Sequence, residues 1–288
     1  MLTRFVTVIV GGVLAAGCAS EPEARGLPPS TRPSSRCAHH VWSADHETGD
    51  LSQWYVGDGG GEFNSGRAEA SASQDVAHSG RYSAKLTIET PSVPMTSGVR
   101  LFRWRESHAL TEACYSAWFY FPRRYNAPIW WNIFAFKSRT GNSTNDAFWS
   151  LEIGNRLQGP MFAYLNWWEG LPVDGPQQGQ HGGRSFDQRV KDVPVGEWTH
   201  FEVYLRQSSA FDGRIIVWQD GVELFDVDKV RTRYPAPNGA NEWLLANYSD
   251  IITPDPATIY VDDAAITMAG FGPPVLNRFP SSPAAGTQ

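Results

Sequence analysis

The chain has 288 residues and a formal net charge of −6. A mildly acidic chain has no bulk basic field for nucleic acid, and 41% hydrophobic residues exclude a disordered polymer. Twelve Trp suit core packing and stacking on sugar faces alike, so their number does not choose between the two.

The first elements are not part of a fold. Met1 to Arg4 is a short basic start, and Phe5 to Ala16 is an apolar run too short to span a membrane as a helix. Small residues follow in Leu14-Ala15-Ala16-Gly17-Cys18, so residues 1–17 read as a secretory signal. This segment resembles the bacterial lipoprotein signal. The resemblance implies lipidation of Cys18, export, and a cell-envelope protein that meets the membrane through that lipid only. An ordinary signal cut nearby is the alternative, and it also exports the chain. Residues 18–36, rich in Pro, Ser and charge, read as a tether, and residues 270–288 as a loose tail. Residues 37–269 are expected to form one domain. Cys37 and Cys114 remain as an even pair in an oxidising compartment, which favours one disulfide over two buried thiols.

Within the domain the expected elements are strands. They run over 81–89, 114–121, 130–137, 148–153, 161–168, 197–206, 213–221 and 257–267. Each is short, rich in β-branched and aromatic residues, and bounded by Gly, Pro, Asn or Asp. No long helix and no short-period repeat is evident, which disfavours a propeller or solenoid. The fold class is all-β, a two-sheet antiparallel jelly roll.

Several short segments, in order, carry a family resemblance. They are His46-Glu47-Thr48-Gly49-Asp50-Leu51 with Trp54, Ala77 to Ala84, Tyr120-Phe121-Pro122, and Gly196 to His200. Trp218-Gln219-Asp220-Gly221, Asn247-Tyr248-Ser249-Asp250 and Tyr260-Val261-Asp262-Asp263 complete the set. Together they resemble the heparin-lyase-like polysaccharide lyases over residues 41–267, with His46 where Phe is usual. The resemblance implies a concanavalin A-like β-sandwich with a substrate groove on one sheet. It also implies β-elimination on an anionic, uronate-containing polysaccharide. A non-catalytic carbohydrate-binding lipoprotein of the same fold is the alternative. A monomer without an organic cofactor is expected. A structural calcium ion on Glu47, Asp50 and Asp262 is implied where first and last strands meet, although the same carboxylates suit turns equally well.

β-Elimination needs a group that neutralises the substrate carboxylate, a base, and an acid for the leaving oxygen. Tyr248, just before the final strand, matches the family's acid/base position. Lys137 ends a strand that in related lyases ends Gln-x-His or Gln-x-Lys. Here it reads Ala135-Phe136-Lys137, so the amide is missing and Lys137 is the candidate cation. On a regular strand Asn132 points away from Lys137. His181, in a Gly-rich loop, is the other candidate helper. Arg103 and Arg105 share a face of the basic run VRLFRWRE and are expected to bind carboxylate, with ion pairing to Glu106 or Glu112 as the alternative. On 161–168, Tyr164, Asn166 and Trp168 share one face with Phe162, opposite Met161, Ala163 and Leu165, and would line the groove. Glu152 begins the nearest match to the Glu-x-Asp-x-x-Glu of jelly-roll glucanases, but the second and third acids are absent. His200 is expected to be structural, and His39, His40 and His78 show no zinc-site spacing.

Overall fold

The computed structural model describes residues 37–90, 96–140, 144–157, 159–170, 181–234 and 241–269. The signal, Cys18, the tether and the tail therefore lie outside the described residues. In chain order the strands are β1 (Cys37–Ala44), β2 (Gly60–Ser65), β3 (Arg67–Ser73), β4 (Ser83–Glu89), β5 (Ser97–Arg103), β6 (Glu112–Tyr120), β7 (Trp131–Thr140) and β8 (Thr144–Asn155). They continue as β9 (Met161–Gly170), β10 (His181–Phe186), β11 (Asp192–Val193), β12 (Trp198–Arg206), β13 (Gly213–Gln219), β14 (Val222–Val230), β15 (Asn241–Ser249) and β16 (Ala257–Ala269). Helix among the described residues is limited to a turn over Ser52–Asp58 and to α1 (Arg105–Ala109).

Two eight-stranded sheets stack. One runs β14-β13-β12-β6-β16-β4-β3 with β1 also on β16, and the other runs β10-β9-β8-β7-β15-β5-β2 with β11 on β9. Neighbouring strands are antiparallel throughout. The expected jelly roll is therefore the observed architecture. Alternation drives it. Phe119, Val203, Ile215 and Val261 of the first sheet face Leu101, Phe134, Leu151, Leu165 and Leu245 of the second, in one buried core.

The 42–54 stretch closes one end of that core. Trp42, Trp54 and Trp243 pack with ring centroids 4.7–5.9 Å apart. Fully buried His46 accepts the Trp54 indole N–H at Nε2 (3.1 Å), which leaves its Nδ1 to face Asp262 Oδ1 at 3.5 Å. His46 thus ties the opening segment to β16, which a Phe would not do.

The carboxylates expected to hold calcium are otherwise engaged. Glu47 Oε1 accepts the N–H groups of Arg81 (2.7 Å) and Tyr82 (2.8 Å). Asp50 Oδ1 accepts from the Thr48 hydroxyl (2.8 Å) and the Ser52 N–H (3.0 Å). Asp262 Oδ2 accepts the His78 and Ser79 N–H groups at 2.9 and 3.3 Å. Among the described residues no three His, Cys, Asp or Glu side chains converge as a metal cage. In this arrangement the three carboxylates serve turn and loop closure.

Cys37 and Cys114 form a disulfide across 77 residues, with their Cα atoms 5.8 Å apart. Both strands flank β16, where Cys37 lies opposite Ala269 and Cys114 opposite Thr267. A loop of that length corresponds to roughly 4 kcal/mol of chain entropy removed from the unfolded state. Replacing both cysteines with Ala is expected to lower the urea unfolding free energy by about that amount, and equilibrium denaturation measures it.

Candidate active site

The site is built on the outer face of the second sheet. On β9, Met161, Ala163 and Leu165 are buried in the core, so Phe162, Tyr164, Asn166 and Trp168 face outward, as alternation predicts. On β8, Ser150 and Glu152 lie opposite Asn166 and Tyr164. Glu152 is 6% exposed and takes three donors. Tyr164 Oη donates to its Oε2 at 2.5 Å, and Ser150 Oγ and Asn166 Nδ2 donate to its Oε1 at 2.8 and 3.2 Å. Ser185 Oγ in turn donates to Asn166 Oδ1 at 3.1 Å. Burial first, and Glu152 second, push the Tyr164 phenol far above its ordinary value. Tyr164 stands as a hydrogen-bond donor to Glu152.

A β-bulge decides the next position. The β7–β8 register shifts between Asn132 and Phe134, and both Ile133 and Phe134 turn into the core. Asn132 thereby shares the outer face with Ala135 and Lys137, which corrects the regular-strand expectation. Asn132 is buried, and its Oδ1 has no partner among the described residues. An unsatisfied buried amide costs free energy unless something completes it.

Asn132 lies opposite Tyr248 on β15, and Tyr248 opposite Gly98 on β5. One row thus crosses the sheet as Tyr164, Glu152, Asn132, Tyr248 and Gly98. At about 4.8 Å per strand, Tyr164 and Tyr248 stand roughly 14 Å apart. Gly98 makes room for the Tyr248 ring, because a Cβ there would sit 2.3 Å from Tyr248 Cδ2. The ring meets Trp130 edge-on at 4.6 Å, and the Arg100 guanidinium stacks over it at 3.8 Å. Arg100 is 6% exposed, donates to Ser65 Oγ (3.2 Å) and leaves Nε without a partner among the described residues. Burial lowers its pKa from a very high starting value, so it stays a cation. Ala135, Leu244 and Ala246 form a small apolar floor beside it. Gly98→Ala is expected to displace the Tyr248 ring and reduce turnover at least tenfold with little change in the unfolding midpoint. Steady-state kinetics beside urea melts separate the two.

Clefts extend the row. One of about 330 Å³ opens beside Tyr164, between Ala127, Pro128 and Ile129 on one wall and Phe162 and Asp187 on the other. A second, of about 520 Å³, continues past Phe162 to Arg156 and Arg189. Phe162 lies over Gly154, where a Cβ would come within 2.9 Å of the ring, and Arg156 stacks on it at 4.5 Å.

The polysaccharide lyase family model matches residues 46–263, most of the chain and all of this site. The chain belongs to the polysaccharide lyase family. Solved structures agree on the fold. An endo-β-1,4-glucuronan lyase from the fungus Trichoderma reesei superposes with a TM-score of 0.62 at 14% identity, covering 80% of this chain and 96% of that one. Alginate lyase vAL-1 from Chlorella virus gives 0.55 at 11% identity, covering 80% and 99%. An alginate lyase from Aplysia kurodai gives 0.53 at 14%, covering 80% and 100%. No curated protein sequence matches the chain.

Set in this lyase, the expected site residues divide. Tyr248, Tyr164, Asn166 and Trp168 share the outer face. Arg103 does not join them. It is 1% exposed, points inward with Val99 and Leu101, and pairs with Glu106 at 2.6 Å. Arg105 falls beyond the strand, begins α1, and donates to the Gly57 carbonyl at 2.9 Å. Neither stands where a carboxylate could be bound on the groove row, and Arg100 is the buried cation beside it. Lys137 is on the correct face but opposite Glu242, five residues along β7 from Asn132. That is roughly 16 Å from the row at 3.3 Å per residue. The backbone of His181 pairs with Gly170 in the edge strand β10, and its side chain lies outside the described residues. His200 lies on the other sheet, against Trp118 at 4.9 Å, with its pKa lowered by burial.

Proposed function

We propose that this lyase cleaves a uronate-containing polysaccharide by β-elimination on the row from Tyr164 to Tyr248. The single observation that carries the reading is the convergence of a buried cation, a buried amide and a tyrosine at one point of the groove face. Arg100 would neutralise the substrate carboxylate, and the Asn132 Nδ2–H would donate to it and to the charge that develops as the α-proton leaves. Asn132 supplies the amide that Ala135 lacks. Tyr248 Oη would receive that proton while passing its own to the departing glycosidic oxygen. Tyr164, held as a donor by Glu152, would bind rather than transfer. Similarity to a glucuronan lyase and an alginate lyase supports a uronate polymer. The resemblance of the 46–54 and 247–263 segments supports a heparin-lyase-like member. The sequence through Cys18 supports an exported, lipid-anchored protein.

The test mixes the purified full chain with a panel of uronate polymers and follows the ultraviolet absorbance of the unsaturated product. A rise on one polymer, reduced at least a hundredfold in Arg100→Ala, is the expected result. No rise on any polymer would sink the reading.

A further inference from the structure

We propose that Glu152 is a charge filter: the sugar unit seated over it carries neither carboxylate nor sulfate and turns hydroxyl or amide donors toward the groove floor. This rests on the lyase reading of the same groove and specifies what the neighbour of the reacting uronate must be.

The floor of the groove has two ends of opposite sign. At one end Arg100 is buried beside Tyr248. Asn132 lies next to Tyr248, and Glu152 is the next strand position beyond it. Among the described residues the hydrogen bonds to Glu152 come from three donors, the Tyr164 and Ser150 hydroxyls and the Asn166 amide. All three bonds treat the carboxylate as an acceptor. Among the described residues no Lys or Arg bonds to it. Asp187, on the wall of the cleft beside Tyr164, adds a second negative group on the same side. The next cation along, Arg156, is engaged by Asp192 at 3.2 Å.

A uronate whose carboxylate rests on Arg100 and Asn132 therefore places its neighbour on Glu152. A pyranose ring is about as wide as one strand spacing, so the neighbour meets the carboxylate directly. In a partly desolvated groove, like charges a few ångströms apart repel strongly. A hydroxyl or an N–H instead finds an acceptor, since Oε2 takes one donor where a carboxylate oxygen can take two. Specificity here comes from the repulsive element.

The experiment uses one polymer in two forms, so that linkage stays constant: a 1,4-linked polyuronate, and the same polymer with about half its carboxylates reduced to hydroxymethyl groups. Glucuronan and alginate are each tested. For the full chain, elimination rate per remaining uronate and Kd by calorimetry are both recorded, with Glu152→Gln alongside. The half-reduced form is expected to be preferred about tenfold or more by the natural chain, and Glu152→Gln is expected to shrink that preference below about threefold. Equal or better use of the fully charged polymer by the natural chain would overturn the filter. An unchanged preference in Glu152→Gln would overturn it too. If neither form is eliminated, the lyase reading fails, while the Kd ratio still decides whether Glu152 filters charge.

Discussion

Tyr248→Phe is expected to lower turnover by about 10²–10⁴-fold while leaving polymer binding and the unfolding midpoint close to those of the natural chain. The ring is held by contacts that a Phe keeps: the space above Gly98, the edge of Trp130 and the face of the Arg100 guanidinium. Only the hydroxyl is removed, together with its side-chain hydrogen bond to Arg100. A proton-transfer role therefore appears as a loss in kcat with KM little changed. Tyr164→Phe is the contrasting variant. It removes the 2.5 Å bond to Glu152 from a partly buried network, so a loss in binding should accompany any loss in rate. Rapid-mixing kinetics and calorimetry on the two variants distinguish the roles.

Glu106→Gln is expected to destabilise the fold by about 3 kcal/mol, at the lower end of the range for breaking a buried ion pair. Arg103 is the charged group at risk. Its Nε and Nη2 donate to both Glu106 oxygens at 2.9 and 2.6 Å, and its guanidinium lies 5.1 Å from the Trp42 ring. Loss of the carboxylate strands a cation that is 1% exposed. The penalty stays near the lower end because Nη1 keeps the Trp54 and Val56 carbonyls at 2.7 and 3.0 Å. Urea denaturation should show a lower midpoint with an unchanged slope. The double variant Arg103→Met, Glu106→Gln should recover part of the loss, since removing both charges removes the stranded cation.

Most of the fold was legible because the central strands alternate strongly. Met161 to Trp168 separates its faces residue by residue, and the structure follows that pattern. The weaker strands carried less signal. Arg67–Ser73 is built from small and polar residues at a sheet edge, and only its pairing with β4 makes it a strand. The site was half legible. Val99 and Leu101 already marked the inward face of β5, and Arg103 shares their parity, so alternation alone placed Arg100 outward and Arg103 inward. The density of Arg in VRLFRWRE outweighed that signal. Asn132 could not be read, because the bulge that turns it outward has no marker in Trp131-Asn132-Ile133-Phe134. Glu152 was visible as an isolated acid. Its three donors come from two strands, and only the register brings them together.

Elimination at this groove is tested most directly by counting two products of the same cleavage. On a polymer that the full chain cuts, new reducing ends and new unsaturated uronate ends are measured side by side over time. Elimination forms one unsaturated end for every reducing end, and a constant one-to-one ratio is the expected result. Reducing ends that accumulate without unsaturated ends would mean hydrolysis, and would contradict the roles assigned to Arg100, Asn132 and Tyr248.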